Sequence, residues 1–366
     1  MRIADITTAL ERWASPMLQE SYDNVGLLVG SPEMECSGIL CCLDATEEVV
    51  DEAVTLGANL IVAHHPIVFS GIKKLNGKNY VERTVIRAIQ KGIAIYACHT
   101  NLDNLSYGVN ARMASVIGLQ NTRVLAPKPN TLRKLFTFVP VAQADQVRQA
   151  LFEAGAGEIG NYASCSFNVE GTGTFLAGPG TSPYVGEIGQ LHREAEVKME
   201  LIFPVYREAA ILKALHAAHP YEEVAYDVVA LENQHSGTGA GLLGELADPM
   251  PAKAFLQLLK EQFGLSVIRH SAAPGQPIHK VAICGGAGSF LISRALASGA
   301  DAFVTADLKY HEFFDADQRL LLADIGHYES EQFTIDLLQE FLLQKFPTFA
   351  VLKTKLRTNP VQYFLA

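Results

Sequence analysis

Three short stretches of the chain carry side chains able to hold a metal or move a proton. Residues 61–69 read IVAHHPIVF, residues 97–103 read ACHTNLD, and residues 326–331 read GHYESE. Together they offer His64, His65, Asp103, His327 and Glu331, three imidazoles and two carboxylates. Mixed imidazole and carboxylate donors suit Zn, Fe, Mn or Ni, whereas Mg or Ca would favour an all-oxygen shell. Five protein ligands exceed the three plus water of a single catalytic zinc. They fit two divalent ions side by side, with a carboxylate such as Glu331 bridging them, an arrangement that clamps an attacking hydroxide against a phosphoryl or acyl centre. Each residue alone has a blander reading: a hydrogen-bonded core histidine, a turn or cap aspartate, a solvated helix glutamate. Their joint placement is what argues for metal. His99, at the head of HTNLD, reads equally as a group beside the metals or as a packed core histidine. His311 and Asp307 could supply acid or base groups nearby, with a helix cap as the alternative for Asp307.

These groups need strands to place them. The apolar run 60–63 reads as a buried strand that stops at Pro66, which cannot donate to a sheet ladder. Both adjacent histidines reach one site only if the backbone turns there or if the site holds two metals. Residues 39–43 form the preceding strand, and a helix follows from residue 46, capped by Asp44 or Thr46. Residues 81–91 give a helix and 93–98 the next strand, which ends at His99. An N-terminal helix spans 5–20, and residues 23–26 (DNVG) read as turn chemistry.

The C-terminal part runs in parallel. A strand at 280–284, a tight GGAGS turn, a helix at 290–298, a strand from 302 ending near Asp307 and His311, and a strand at 320–324 leading to His327 repeat the order strand, helix, Gly-Ala, strand, histidine. If residues 327–331 are helical, His327 and Glu331 share one face. The expected fold class is therefore α/β: two related three-layer α/β halves forming one core, with ligands at the strand ends. GGAGS could seat a phosphate, but no Gly-Lys-Ser/Thr follows it, and a βα turn is the simpler reading. Between the halves, residues 133–233 follow a βαββαβ-like order. They suggest an inserted α+β ferredoxin-like domain, leaving 1–132 and 234–366 as the metal-binding core. Within the insert, His219, Tyr221 and Glu222 read as interface or ligand residues, with the interface favoured.

Composition narrows the classes. The chain has 366 residues, is 49% hydrophobic and carries a net charge of −10, which argues against generic nucleic-acid binding. No window is apolar enough for a bilayer, and the N-terminus lacks a signal-peptide pattern. The six cysteines form no C-x-x-C pair and read as reduced thiols of a cytoplasmic protein.

The motifs AHHP, HTNLD, DxxxTADxxxH (301–311), GHYESE and the terminal TNP (358–360), in this order over both outer parts, resemble the GTP cyclohydrolase 1 type 2 homolog family. The resemblance implies a metal pair held by His64, His65, Asp103, His327 and Glu331, and a toroidal homohexamer. The family name implies hydrolytic ring opening of GTP. The insert, with HPYEEVAYDVV (219–229), resembles the PII-like or CutA-like domain of a long subgroup. Two readings follow. One is a dinuclear metal hydrolase acting on a nucleotide-like substrate, with His311 or His99 as proton shuttle. The other is a non-catalytic, metal-binding hexameric scaffold or regulatory protein.

Overall fold

The computed structural model describes residues 1–364. The chain divides into two compact units: Met1–Pro127 with the chain from Gly237 onward, and Lys128–Ser236.

The first half of the larger unit begins with α1 (Ile3–Trp13), whose Ile3, Ile6 and Leu10 are buried. The helix is shorter than the pattern over 5–20 suggests. Pro16 has no N–H to continue it, and a 3-10 turn starts there instead, capped by Ser15. The succession is then β1 (Gly26–Val29), β2 (Ile39–Cys42), α2 (Glu47–Thr55), β3 (Leu60–Ala63), α3 (Tyr80–Lys91), β4 (Ala94–Ala97), α4 (Thr100–Asp103), α5 (Val109–Ile117) and β5 (Gln120–Pro127). β2, β3 and β4 pair in parallel, and β1 lies antiparallel against β4. Every residue of β2, β3 and β4 is buried, as expected for strands covered on both faces. Val49, Val50 and Ala53 of α2 and Val85 and Ala88 of α3 pack on one face, against Leu40, Ile61 and Ile95.

The smaller unit contains β6 (Leu132–Pro140), α6 (Ala144–Glu153), β7 (Phe167–Leu176), β8 (Leu191–Pro204), α7 (Glu208–Ala218) and β9 (Tyr226–Leu231). Its antiparallel sheet has the order β7-β8-β6-β9, the split βαβ arrangement of a ferredoxin-like domain. Val147, Leu151, Ile211 and Leu215 from the two helices cover one face through Leu135, Val139, Met199 and Leu201. β7 runs unbroken through Gly171 and Gly173, because β8 pairs along all ten of its residues.

The second half of the larger unit follows: β10 (Gly239–Met250), α8 (Ala252–Phe263), β11 (Arg269–His270), β12 (Ile278–Ala287), α9 (Ile292–Ala297), β13 (Ala302–Ala306), β14 (Leu321–Asp324), α10 (His327–Glu331), α11 (Thr334–Lys345) and β15 (Val351–Lys353). β12, β13 and β14 are parallel, and β11 lies antiparallel against β14, repeating the order of the first half. Side chains alternate along β12. Val281 and Ile283 meet α5 and α8, while Ala282 and Cys284 meet α9. The halves also exchange edges. β5 joins the second sheet through β10, and β15 joins the first beside β2. The glycine run after Cys284 is not a tight turn. Strand β12 continues through it to Ala287, with a register shift between Ile283 and Ala287. Among the described residues no helix is long and apolar enough to cross a membrane.

Candidate metal centre

The parallel strands of both sheets end at one place. Asp44 follows β2, His64 and His65 follow β3, and His99 and Asp103 follow β4. From the other half, Asp307 follows β13, while α10 after β14 carries His327 and Glu331 one turn apart. The backbone holds the histidine pair on both sides, with His64 N donating to Cys42 O, His65 N to Leu43 O and Cys98 N to Ala63 O.

Glu331, whose side chain is 3% exposed, stands at the middle. Its Oε2 lies 2.9 Å from His65 Nε2 and 3.1 Å from His327 Nε2. Its Oε1 lies 3.8 Å from His64 Nε2, which is 3.6 Å from Asp103 Oδ1. The two oxygens of one carboxylate therefore face two separate donor sets, His65 with His327 and His64 with Asp103. His99 approaches from the side, its ring centroid 5.3 Å from that of His64 and 5.5 Å from that of His65.

Every imidazole is held by its other nitrogen. His65 Nδ1 donates to Asp44 at 2.7 Å, His327 Nδ1 to Asp307 at 2.7 Å, His99 Nδ1 to Asp23 at 2.8 Å and His64 Nδ1 to the Cys98 carbonyl at 2.8 Å. A carboxylate or carbonyl can only accept, so each Nδ1 carries the hydrogen and each neutral ring has its lone pair on Nε2. This is how proteins orient metal-binding histidines. Asp44 was a candidate helix cap. In the structure Thr46 caps α2 by accepting from Val49 N, which leaves Asp44 for His65 and for Thr358, whose hydroxyl donates to it at 2.6 Å. Asn359 donates to buried Glu329 at 2.8 Å, so the TNP segment braces both ends of the cluster.

The electrostatics set buried carboxylates and imidazoles against one another. Burial, reinforced by the charge of Glu331, drives the Asp103 carboxyl well above the ordinary range. Burial also opposes charge on Glu331, yet the close contacts with the His327 and His65 imidazoles hold it well below that range. Burial keeps His64 neutral. In His65 and His327 burial is outweighed by their carboxylate partners, which raise them to about 10 and about 11. His64 Nε2 and Asp103 Oδ1 are shut off from solvent with no hydrogen-bond partner. Orphaned buried polar atoms are costly, and a lone pair and a carboxylate oxygen facing one another lack an electrophile between them. The donor set thus fits a cation. Among the described residues, three groups have donor atoms mutually within 4.8 Å: His64 with His65 and His99, His65 with His327 and Glu331, and His64 with Asp103 and Glu331.

His311 is not in these groups. Asp307 takes a left-handed turn (φ 56°), and the chain then enters a 3-10 helix over 310–316. This places His311 at the surface, against the rings of Tyr310 and Phe314. The glycine run has a packing role here. A Cβ on Gly286, itself at φ 63°, would lie 2.4 Å from Glu331 Oε1, and Gly286 N donates to Ser330 Oγ at 2.9 Å. Only glycine lets β12 come this close to α10. Asn110 joins the halves: it accepts from Gly285 N at 3.0 Å and donates to the Asp103 carbonyl at 3.1 Å. Asp23, Asn110 and the Thr358–Asn359 brace carry no metal-ligand signature in the sequence. Asp23 is one residue of a turn motif, and only its contact with HTNLD reveals its task.

Comparison with known proteins agrees with this architecture. A protein of Halalkalibacterium halodurans named GTP cyclohydrolase 1 type 2 homolog is 38% identical over 371 residues, covering 99% of this chain and all of that protein. A Bacillus subtilis protein of the same name is 38% identical over 308 residues, covering 84% of this chain and 83% of its own. The crystal structure of a Bacillus cereus protein related to NIF3 superposes with a TM-score of 0.87 at 38% identity, over 100% of this chain and 99% of that one. The family model described as Duf34/NIF3 (NGG1p interacting factor 3) matches residues 1–360, and the chain belongs to that family.

Proposed function

We propose that the centre binds two divalent transition-metal ions, Zn, Fe or Mn, and that the protein is a metal-dependent hydrolase of a nucleotide-like substrate. The observation that carries this reading is the split of Glu331, one oxygen toward His65 and His327 and the other toward His64 and Asp103. His64, Asp103 and Glu331 would hold one ion, and His65, His327 and Glu331 the other. Bound there, such a pair supplies a water activated as nucleophile and a clamp on the oxygens of the centre attacked.

The chain's own residues do the rest. Asp44 and Asp307 fix the rings of His65 and His327, so no reorientation is needed during reaction. His99, its Nδ1 hydrogen committed to Asp23, is left with Nε2 to take and return a proton. We assign the shuttle to His99 rather than to the surface-placed His311. A cavity of about 430 Å³ adjoins the centre, lined by His65, His327, Arg269, Tyr328 and Tyr363. Its volume is in the range of small-ligand sites and its tyrosines suit a planar base; Arg269 is engaged by Asp324, and with Asp44, Asp307 and Glu329 also in the lining the attraction for a phosphate would come from the bound ions. We also propose a homo-oligomer, a hexamer by resemblance. The exposed rings of Tyr310 and Phe314, 5.6 Å apart, are candidates for its contacts.

The test is turnover by the metal-loaded protein across nucleotides including GTP, phosphoesters and pterins, with and without chelator, beside His99→Ala. Chelator-sensitive turnover of one class, depressed in the variant, supports the hydrolase. No turnover by fully loaded protein would leave a metal-binding scaffold.

A further inference from the structure

The HPYEE motif of the smaller unit lies far in sequence from every residue of the metal centre. It lines a cavity of about 610 Å³ that belongs to that unit alone. The cavity sits on the face of the sheet that α6 and α7 leave bare. Residues directly opposed in the ladders share that face: Phe138 with Lys198, and Glu196 with Gly171. Its floor is the Glu196 carboxylate, only 9% exposed as a residue. Glycines make the room. A Cβ on Gly173 would fall on the Glu196 carboxylate, and a Cβ on Gly171 would project into open space.

Aromatic rings wall the floor. Tyr221 lies with its ring centroid 6.1 Å from Phe175 and 6.3 Å from Tyr184, and Phe138 closes another side. The tyrosine is locked in place. Buried His219 donates through Nε2 to the Phe138 carbonyl at 3.0 Å and accepts at Nδ1 from Tyr221 N at 3.1 Å. The Tyr221 hydroxyl then donates to Glu196 Oε1 at 2.9 Å. Among the described residues nothing donates to Oε2. The loop bearing Tyr184 is fastened by Ser182 N donating to Glu222 Oε1 at 2.9 Å. The lining carries Glu170, Glu196, Glu222 and Glu223 against one cation, Lys198, and Lys198 is drawn aside to Glu200 at 3.0 Å and over the Phe136 ring.

A nearly buried carboxylate with one oxygen free, framed by three aromatic rings and excess negative charge, is complementary to an organic cation. We infer that this cavity is a binding site for a ligand bearing a protonated or quaternary amine on an apolar body. The ammonium seats on Glu196 among Phe175, Tyr184 and Tyr221, and the body lies along the glycine-lined strand β7. The site is independent of the metal centre.

The test uses the full chain and benzyltrimethylammonium as probe, with benzyl alcohol and phenylacetate as neutral and anionic counterparts, read by calorimetry or ligand-observed NMR. The expected result is one ammonium site per chain and no detectable binding of phenylacetate. Glu196→Gln should weaken ammonium binding about tenfold or more. Gly171→Leu, which fills open space and leaves the fold intact, should abolish it, while Glu153→Gln, on α6 across the sheet from the cavity, should leave it unchanged. No ammonium binding by the wild type, equal binding of phenylacetate, or unchanged affinity in both Glu196→Gln and Gly171→Leu would overturn the inference.

Discussion

Replacing Glu331 by glutamine tests the bridging geometry directly. The substitution keeps the shape of the side chain and removes one charge from a carboxylate whose two oxygens face different donor sets. Glu331 is 3% exposed, so water cannot substitute for the lost charge. Removing one partner from a buried ionic network costs about 3 kcal/mol, which is roughly 150-fold in a binding constant. At a free metal concentration tenfold above the wild-type Kd, occupancy should fall from about nine-tenths to less than about one-tenth, and it should fall for both ions. His327→Ala, by contrast, touches only the Oε2 side and His64→Ala only the Oε1 side, so each should lose about one of two ions. The assay is elemental analysis after dialysis against buffered metal, with circular dichroism to confirm folding. Wild-type metal content in Glu331→Gln would refute the bridge. Loss of both ions from both single-histidine variants would refute the division into two sets.

Asp307→Ala, which frees His327 Nδ1, should weaken metal binding on that side about 10–100-fold and spare the His64 side; competitive titration against a chromophoric chelator measures this. Metal at about 100 times its Kd should stabilise the chain by about 2.7 kcal/mol relative to the chelated form, and denaturant unfolding that did not respond to chelator would contradict a metal centre built into the native state. Gly286→Ala should destabilise the chain by about 1–3 kcal/mol and deplete metal, since its Cβ would lie 2.4 Å from Glu331 Oε1; a variant with wild-type stability and metal content would remove the close-approach argument. Asn359→Ala, which leaves Glu329 without its 2.8 Å donor, should lower stability by about 1–2 kcal/mol by the same denaturant measurement, because the carboxylate it serves is buried.

What the sequence revealed of this centre, and what it hid, follows from how far each residue type narrows the possibilities. His64, His65, His327 and Glu331 stand out because imidazoles directly after apolar strands, repeated in two parts of the chain, have few other reasons to be there. The three-strand parallel order of each half was legible for the same reason: buried strands read as unbroken apolar runs. Asp23 and Asp44 were hidden because an aspartate in a turn or before a helix already has a local explanation, and their partners lie 76 and 21 residues away. His311 lies at the surface, because the chain takes a left-handed turn at Asp307 that sequence spacing does not disclose. β5 and β10 went unrecognised because their glycines, prolines and register shifts break the alternation of a regular strand. The glycines at 285–288 looked like a turn because close approach and tight turning demand the same residue.

The repeated strand order of the two halves explains why the centre lies where it does. Each half ends its parallel strands in donors, but neither half holds a complete set. The first supplies His64, His65, His99 and Asp103, and the second supplies His327 and Glu331, the one carboxylate among the described residues placed to serve both groups. The exchange of β5 and β15 between sheets and the Asn110 link to Gly285 hold the halves in register. Distances across their junction, such as the 2.9 Å from His65 to Glu331, are therefore set by sheet and helix packing rather than by a loop. Rigid support of this kind suits a centre that keeps buried carboxylates and imidazoles close together. Asp103 and Glu331 repel one another, and a mobile junction would relax by separating them. The fold instead keeps them together, with Asp103 driven toward protonation and His64 Nε2 left without a partner. In the proposed metal-bound form a cation would relieve this strain, so its binding and the stability of the junction would be thermodynamically linked.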